Sequence, residues 1–462
     1  MTKKVYVVTD LGPGDGGKGG VVHKLATMMR PHTIIKVGGA QGSHGVRTSN
    51  GESFAFSQWG CGTFEGVRTH ISPRLVMSPE GLLNEAAALR HGPHGIHNPF
   101  ALLTVDERAV CATAYHGLAS RLKELARRDN PRGTIGTGVG EAYRDWERVP
   151  ELVIRAGDLS KPGLRDTLAA VREHIRKELL PLISAGFLPA DQVTADREIE
   201  RLVDDRFLDY VVTRFRMVAE HAKIVDANFL RREILPQEGV VVVESSHGIL
   251  TDKYHGFSPH TSALRTLPRF TRDMLTDAGY AGQVVNLGVC RAYQIRHGAG
   301  PMPTADASMN EQLLPGSHKD QNRWQGQVRV GPLDLALLRY ALAASVGTTY
   351  DGLAITWFDQ VATNREWRVC HRYQSGTEDP TVFSPTGEIK VRIGEDDAQL
   401  AHQELVGQRL KSCRPEISTL PLPHDTTPDR LFELCAGVVH ESLKVPVRMI
   451  SLGPTEKDKI CK

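Results

Sequence analysis

Short, apolar, β-branched runs spaced by long helical stretches restrict the fold of this chain more than any other feature. The runs "VYVVT" (5–9), "TIIKVGG" (33–39), "RLVMS" (74–78), "GVVVVE" (239–244), "QVVNLGV" (283–289), "LAITWFD" (353–359) and "VRMISLG" (447–453) have the length and composition of buried strands. Strands apolar on both faces and joined by helices belong to parallel sheets. The prediction is therefore an α/β fold: a large, mostly parallel central sheet with helices on both faces. In open sheets of this kind, ligands bind outside the carboxyl ends of the strands, so the strand exits are where function is sought.

The first exit is "VYVVTDLGPGDGGKGGVVHKLATMM" (5–29), a strand, a glycine-rich turn and a helix whose apolar face carries Val21, Val22, Leu25, Met28 and Met29. Free N–H groups at the helix start, with glycines that admit close approach, favour an anion such as phosphate. Gly12 to Lys18 fits the spacing G-x-x-x-x-G-K of the P-loop, but Gly19 stands where a P-loop has Ser or Thr for Mg²⁺. An acid, Asp15, lies beside the lysine instead. A carboxylate inside an anion-binding turn has a purpose if it binds a metal or moves a proton. Other exits carry Gln41 and His44 in "GGAQGSHGV", His247, Asp252, His255 and Thr261 after "VVVVE", the "HGAGPMPTAD" segment, and Asp359. A second glycine-rich turn is "GTIGTGVGEAY" (133–143). Together these exits describe a cleft of nucleotide size.

A net charge of +2 with 24% charged residues gives no reason to expect nucleic acid or an anionic membrane as partner. No apolar run is long enough for a membrane span, and the N-terminus leads directly into a strand, so the cytoplasm is the expected location. Cys61, Cys111, Cys290, Cys370, Cys413, Cys435 and Cys461 are scattered without C-x-x-C spacing and are expected as reduced thiols. Residues 1–462 read as a single domain, with a charged helical insertion over 165–235 and a polar loop or β subdomain over 365–425.

The ordered set "GDGGKGG", "GGAQGSHG", "GTIGTGVGEAY", "RAGDL", "HGFSPHTS", "RHGAGPMPT", "ITWFD" and "SLGP" resembles the adenylosuccinate synthetase family from about residue 5 to 454. That family joins aspartate to C6 of a 6-oxopurine nucleotide at the expense of GTP. A base removes the N1 proton, the 6-oxygen takes the γ-phosphoryl group, and the aspartate amine displaces the resulting phosphate. The resemblance implies Asp15 as the base and as a Mg²⁺ contact together with Ser43, Lys18 as the phosphate-loop lysine, and His44 as the acid toward the phosphoryl group. It places Gly14, Gly17, Gly19, Asp359, Ser451, Gly453 and Pro454 on the donor nucleotide. Gln41, Thr134, His247 and Thr261 fall on the acceptor nucleotide, Arg323 and Arg329 on the amino acid, and Arg155 in the family's R-x-G-D-L. It further implies Mg²⁺, GTP or ATP as co-substrate, small-molecule substrates only, and a homodimer in which Arg148 is the counterpart of a partner-supplied arginine.

The departures gather around the substrates. Gly16 and Gly20 replace Glu and Lys of the family's G-D-E-G-K-G-K turn, and Gly16 leaves room beside Asp15. Gln41 and His247 replace Asn and Gln at the purine edge, and Ile135 and Thr137 replace Thr and Arg in the phosphate loop. The arginine run before the family's T-G-W-x-L-D shrinks to Arg323 and Arg329, and Trp357 replaces the lysine of T-K-L-D while Asp359 is retained, which leaves ATP open beside GTP as the donor. The reading is thus a purine nucleotide ligase acting on IMP and aspartate, or a relative acting on GMP or dGMP or with another amino acid. Phage-type members of the second kind lack the aspartate that Asp15 retains. Rival classes are a non-catalytic nucleotide-binding protein on this fold and an ordinary P-loop NTPase.

Overall fold

The computed structural model describes residues 3–92, 95–314, 324–423 and 426–462. In chain order its strands are β1 (Lys4–Asp10), β2 (Thr33–Gly39), β3 (His44–Arg47), β4 (Ser53–Phe56), β5 (Arg68–Met77), β6 (Leu103–Asp106), β7 (Val110–Cys111), β8 (Lys223–Val225) and β9 (Val240–Gly248). There follow β10 (Gln283–Arg291), β11 (Tyr293–His297), β12 (Val328–Asp334), β13 (Gly352–Thr356), β14 (Glu366–Ser375), β15 (Arg414–Pro421), β16 (Val447–Ser451) and β17 (Lys459–Cys461). The central sheet runs β17-β16-β13-β10-β1-β9-β2-β5-β6-β8, with β7 beside β5, and β1, β2, β9, β10 and β13 pair in parallel. The expected mostly parallel α/β sheet is therefore present. Antiparallel pairing joins β16 to β17 at one edge.

Both faces of the middle strands are apolar, which is why their sequences read as continuous runs rather than alternating ones. Val5, Val7, Ile35, Val37, Val241 and Val243 pack with Leu230, Ile234 and Met274 on one face. Val8, Ile34 and Val242 pack on the other with Val21, Val22 and Leu25 of the helix α1 (Lys18–Met29). Met28, expected on that helix face, is instead 49% exposed, and its sulfur meets the Cys461 thiol at the sheet edge. Met29 is half-buried.

Residues 165–235 hold helices Leu164–Ala185, Gln192–Val203 and Asp205–His221, followed by the short strand β8 and a turn of π-helix over Leu230–Ile234. Leu168, Val171, Ile175 and Phe215 join the same hydrophobic cluster as the sheet. Between 365 and 425, the antiparallel pair β14–β15 flanks a helix, Asp397–Leu410, that the polar composition did not announce. All seven cysteines are free thiols. Among the described residues no helix is long and apolar enough to cross a membrane.

Candidate active site

The glycine turn is organised from beneath by Asp10, the last residue of β1. Its fully buried carboxylate accepts Gly12 N and Gly16 N, each at 2.8 Å, and Lys18 Nζ at 2.9 Å. A Cβ at Gly16 would stand 2.7 Å from Asp10 Oδ2, so the room gained by glycine there belongs to this carboxylate and not to a substrate beside Asp15. Lys18, expected to reach for the triphosphate, is 3% exposed and also donates to the His247 carbonyl at 2.8 Å, tying the turn to β9. Gly19 abuts the next exit, since a Cβ there would lie 2.5 Å from Gly45 O. That contact brings the first turn of α1 against His44.

Asp15 lies in the left-handed region (φ 56°), its carbonyl accepts from Arg291 Nε, and its Oδ2 is 2.6 Å from His297 Nε2. The Arg291 guanidinium rests 4.3 Å from the centre of the Trp357 ring. His44 Nδ1 lies 2.5 Å from Glu244 Oε1, and Lys36 Nζ reaches the same oxygen at 2.7 Å. Glu244 Oε2 accepts Cys61 N at 2.9 Å. Burial raises the Glu244 carboxyl, but Lys36 and His44 together outweigh it and hold it well below the usual carboxylate range. An ionised carboxylate can only accept, so His44 carries its proton on Nδ1, which leaves Nε2 to exchange a proton with a substrate. Burial, then the nearby Lys36, push His44 down to about 4. Burial, then Lys18 and His44, push His247 down to about 3. Lys18 Nζ on the His247 carbonyl, and Gly19 against Gly45 and the His44 backbone, set the turn that carries Asp15 beside the exits of His44 and His247.

Glu244, His44 and Cys61 also form a compact group of metal-ligand types, with ligand atoms within 4.8 Å of one another. The Lys36 ammonium already on Glu244 repels a cation there; Asp15 and the exposed Ser43 are the oxygen-bearing side chains that the resemblance points to for a hard ion.

The acceptor-side residues are placed less uniformly. Gln41 Oε1 is buried with no partner, as expected of a group that awaits a ligand. Thr134, by contrast, spends its hydroxyl within its own loop, 2.7 Å from Ser120 Oγ and 3.1 Å from Gly136 N. Thr261 is half-buried in the turn after Phe257, while Ile135, Thr137 and Arg148 are exposed. Arg155 donates to Arg108 O and lies over the Trp146 ring, holding its own turn in place.

On the donor side, Asp359 is not at a strand end. β13 stops at Thr356, Trp357 turns the chain with φ 59°, and Asp359 sits in the first turn of the helix Phe358–Thr363. Ser451 ends β16 with a buried Oγ that has no partner, and Gly453 and Pro454 continue from it.

Arg323 lies outside the described residues. Arg329 pairs across β11–β12 with Arg296, which the sequence reading missed. Arg296 is 4% exposed and its Nε has no partner. Burial, helped by Arg329, pushes the Arg296 guanidinium down to about 9. Neither arginine has a carboxylate within ion-pair distance among the described residues. Arg329 donates to the carbonyls of Gly298 and Gly300, next to the His297 that touches Asp15.

The model of the adenylosuccinate synthetase family matches residues 7–460. The chain belongs to that family. Adenylosuccinate synthetases are C–N ligases, and this chain is an enzyme of that class. It is 26% identical over 460 residues to the adenylosuccinate synthetase of Baumannia cicadellinicola, covering 97% of this chain and 95% of the relative. It is 29% identical over 371 residues to that of Chlorobium chlorochromatii, covering 78% and 77%. The fold matches the fully ligated adenylosuccinate synthetase of Plasmodium falciparum with a TM-score of 0.75 at 18% identity, over 99% of both chains. It also matches the succinoaminodeoxyadenylate synthetase of cyanophage S-2L, solved with dGMP and with dATP as an energy donor, with a TM-score of 0.55 at 15% identity, over 100% of this chain and 96% of the other.

Proposed function

We propose that this adenylosuccinate synthetase family member joins aspartate to C6 of IMP, driven by GTP, through a 6-phosphoryl intermediate. The observation that carries the reading is the meeting of Asp15, Lys18 and His44 around one glycine turn, with an arginine pair that has no carboxylate within ion-pair distance among the described residues. Asp15 accepts the N1 proton as the 6-oxygen attacks the γ-phosphorus. His44 donates through Nε2 to the phosphorylated oxygen once the donor's negative charge raises its proton affinity. Lys18 and Asp10 hold the turn so that the N–H groups of Gly17, Gly19 and the first turn of α1 face the phosphates. Asp15 and Ser43 would hold Mg²⁺, which neutralises charge on the transferring phosphoryl group. The homodimer and the role of Arg148 in a partner's site stand as part of this proposal, as does the single-domain organisation of residues 1–462.

GMP or dGMP as acceptor is the second reading, favoured by Gln41 Oε1, which is unpartnered among the described residues, and by His247, whose burial favours the neutral ring. The test is mass spectrometry of products formed from Mg²⁺, GTP or ATP, aspartate, and IMP, GMP or dGMP. An aspartyl adduct on IMP is expected. An adduct only on GMP or dGMP moves the acceptor assignment, and donor hydrolysis independent of any acceptor would sink the ligase mechanism.

Two guanidiniums paired across β11–β12 with no counter-ion among the described residues suit a dicarboxylate. Arg329→Met is expected to raise KM for aspartate by about 10²-fold, the loss of a charge-assisted hydrogen-bond pair, with KM for the donor little changed. Steady-state kinetics with each substrate varied in turn checks this. An unchanged aspartate KM would remove Arg329 from the amino-acid site.

A further inference from the structure

Lys459 opens β17 in register with Ser451 of β16. Its ammonium is 6% exposed and donates to Pro454 O at 3.2 Å and Thr455 O at 2.7 Å. An ammonium has three protons, and these carbonyls take two. No carboxylate lies within ion-pair distance of it among the described residues. Burial brings Lys459 down to about 8, against the more distant attraction of Asp458, Glu456 and Asp359 and with the repulsion of Lys24. A Cβ at Gly20 would stand 3.1 Å from Cε and 3.2 Å from Nζ, so the ammonium lies over the first turn of α1, where the larger side chain of a lysine would collide with it. Beside it Ser451 Oγ, in a residue 4% exposed, has no partner among the described residues. Two buried polar groups with unspent hydrogen-bonding capacity thus adjoin the phosphate turn, and such groups are costly unless a ligand completes them.

We propose that Lys459, assisted by Ser451, reads the 6-oxo group of the donor purine and so selects a guanine over an adenine nucleotide. The inference rests on the reading above, in which the turn before α1 holds the donor triphosphate. Guanine offers an acceptor at position 6 and donors at N1 and the 2-amino group. An ammonium and a hydroxyl match the first, and the acceptor-only carboxylate of Asp359 matches the others. Adenine reverses this polarity at positions 6 and 1, leaving the ammonium facing an amino group and the carboxylate facing a lone pair. Such a mismatch in a buried site discriminates strongly.

The test is equilibrium binding of GDP and ADP to the full chain and to Lys459→Met. The variant is expected to lose about 10- to 100-fold in GDP affinity, the size of a hydrogen bond to a charged group, with ADP affinity little changed. Lys459→Gln, an uncharged donor, keeps part of the preference and serves if the methionine variant does not fold. Gly20→Lys in the Lys459→Met background returns an ammonium to the same space and is expected to recover much of the GDP affinity. Equal losses for GDP and ADP would mean that Lys459 holds the loop or the phosphates and would overturn the proposal, as would an unchanged GDP affinity. A wild-type chain that binds GDP selectively yet forms no adduct with any acceptor would sink the ligase reading and leave this one standing.

Discussion

Asp15→Asn is expected to lower kcat by about 10²- to 10⁴-fold, the usual contribution of a positioned general base, while GDP still binds in the absence of metal. Asparagine is the informative substitution because it tolerates the left-handed backbone that residue 15 adopts. Its amide oxygen can still meet His297 Nε2, so the turn and the Arg291 contact to the residue 15 carbonyl are kept. What is lost is the charge that, in the proposed mechanism, accepts the N1 proton and faces a metal. The loss should therefore fall on kcat and not on donor affinity, which the backbone N–H groups of the turn supply. Single-turnover formation of the 6-phosphoryl species, followed by mass spectrometry, separates the two roles. If proton abstraction is the missing step, the phosphorylated acceptor does not accumulate at any Mg²⁺ concentration. If metal binding alone is impaired, excess Mg²⁺ restores it. Turnover within a few-fold of wild type would remove Asp15 from the chemistry altogether.

What the sequence made legible follows from local physics. The run 33–39 coincides with β2 because a short run with Ile34, Ile35 and Val37 on both faces has few options besides a central strand. The glycine-rich turn between β1 and α1 was legible because its glycines and Asp15 are contiguous. The groups that fix the site's geometry were not, since each is a partner from a remote segment. Glu244 is 200 positions from His44, and His297 is 282 from Asp15. Asp10 reads merely as the end of a strand until Gly16 and Lys18 fold back onto it. A weak signal existed for Glu244: an acid inside "VVVVES" must find a counter-charge when the strand is buried, and Lys36 in the apolar "TIIKVGG" is an evident one. Thr134 and Lys18 have internal partners that the sequence did not show. Sequence reading aimed both at ligands, whereas both hydrogen-bond within the protein, because a buried loop must satisfy its own polar groups. Asp359 was assigned to a strand end because "LAITWF" leads into it as one mostly apolar run. Trp357 in the left-handed region breaks the strand earlier, which no pattern of hydrophobicity reveals.

Glu244→Gln should be the most destabilising single change in the site and should silence His44 as well. The Lys36 ammonium is 1% exposed and fully committed to this carboxylate, so neutralising Glu244 strands a buried charge at a cost of about 3–5 kcal/mol. The amide must also turn its NH₂ toward either Lys36 or the Cys61 N–H, donor against donor. His44 Nδ1 then loses a charged acceptor, its tautomer is no longer fixed, and kcat is expected to fall by about 10²-fold. Urea unfolding checks the stability term: the midpoint moves down with the slope unchanged. The pH dependence supplies a second reading. Glu244 is held below its unfolded value, so its contribution is fully present above about pH 4.3 and is lost as pH falls through the depressed folded value. Wild type should therefore lose stability on acidification more steeply than the glutamine variant, and the two curves should converge in acid. Lys36→Met combined with Glu244→Gln removes both charges and is expected to recover much of the stability, but not the turnover, because His44 still lacks its anionic acceptor. Recovery of turnover in the double variant would mean that His44 needs only a dry pocket, and Glu244 would then be a counter-ion to Lys36 and nothing more.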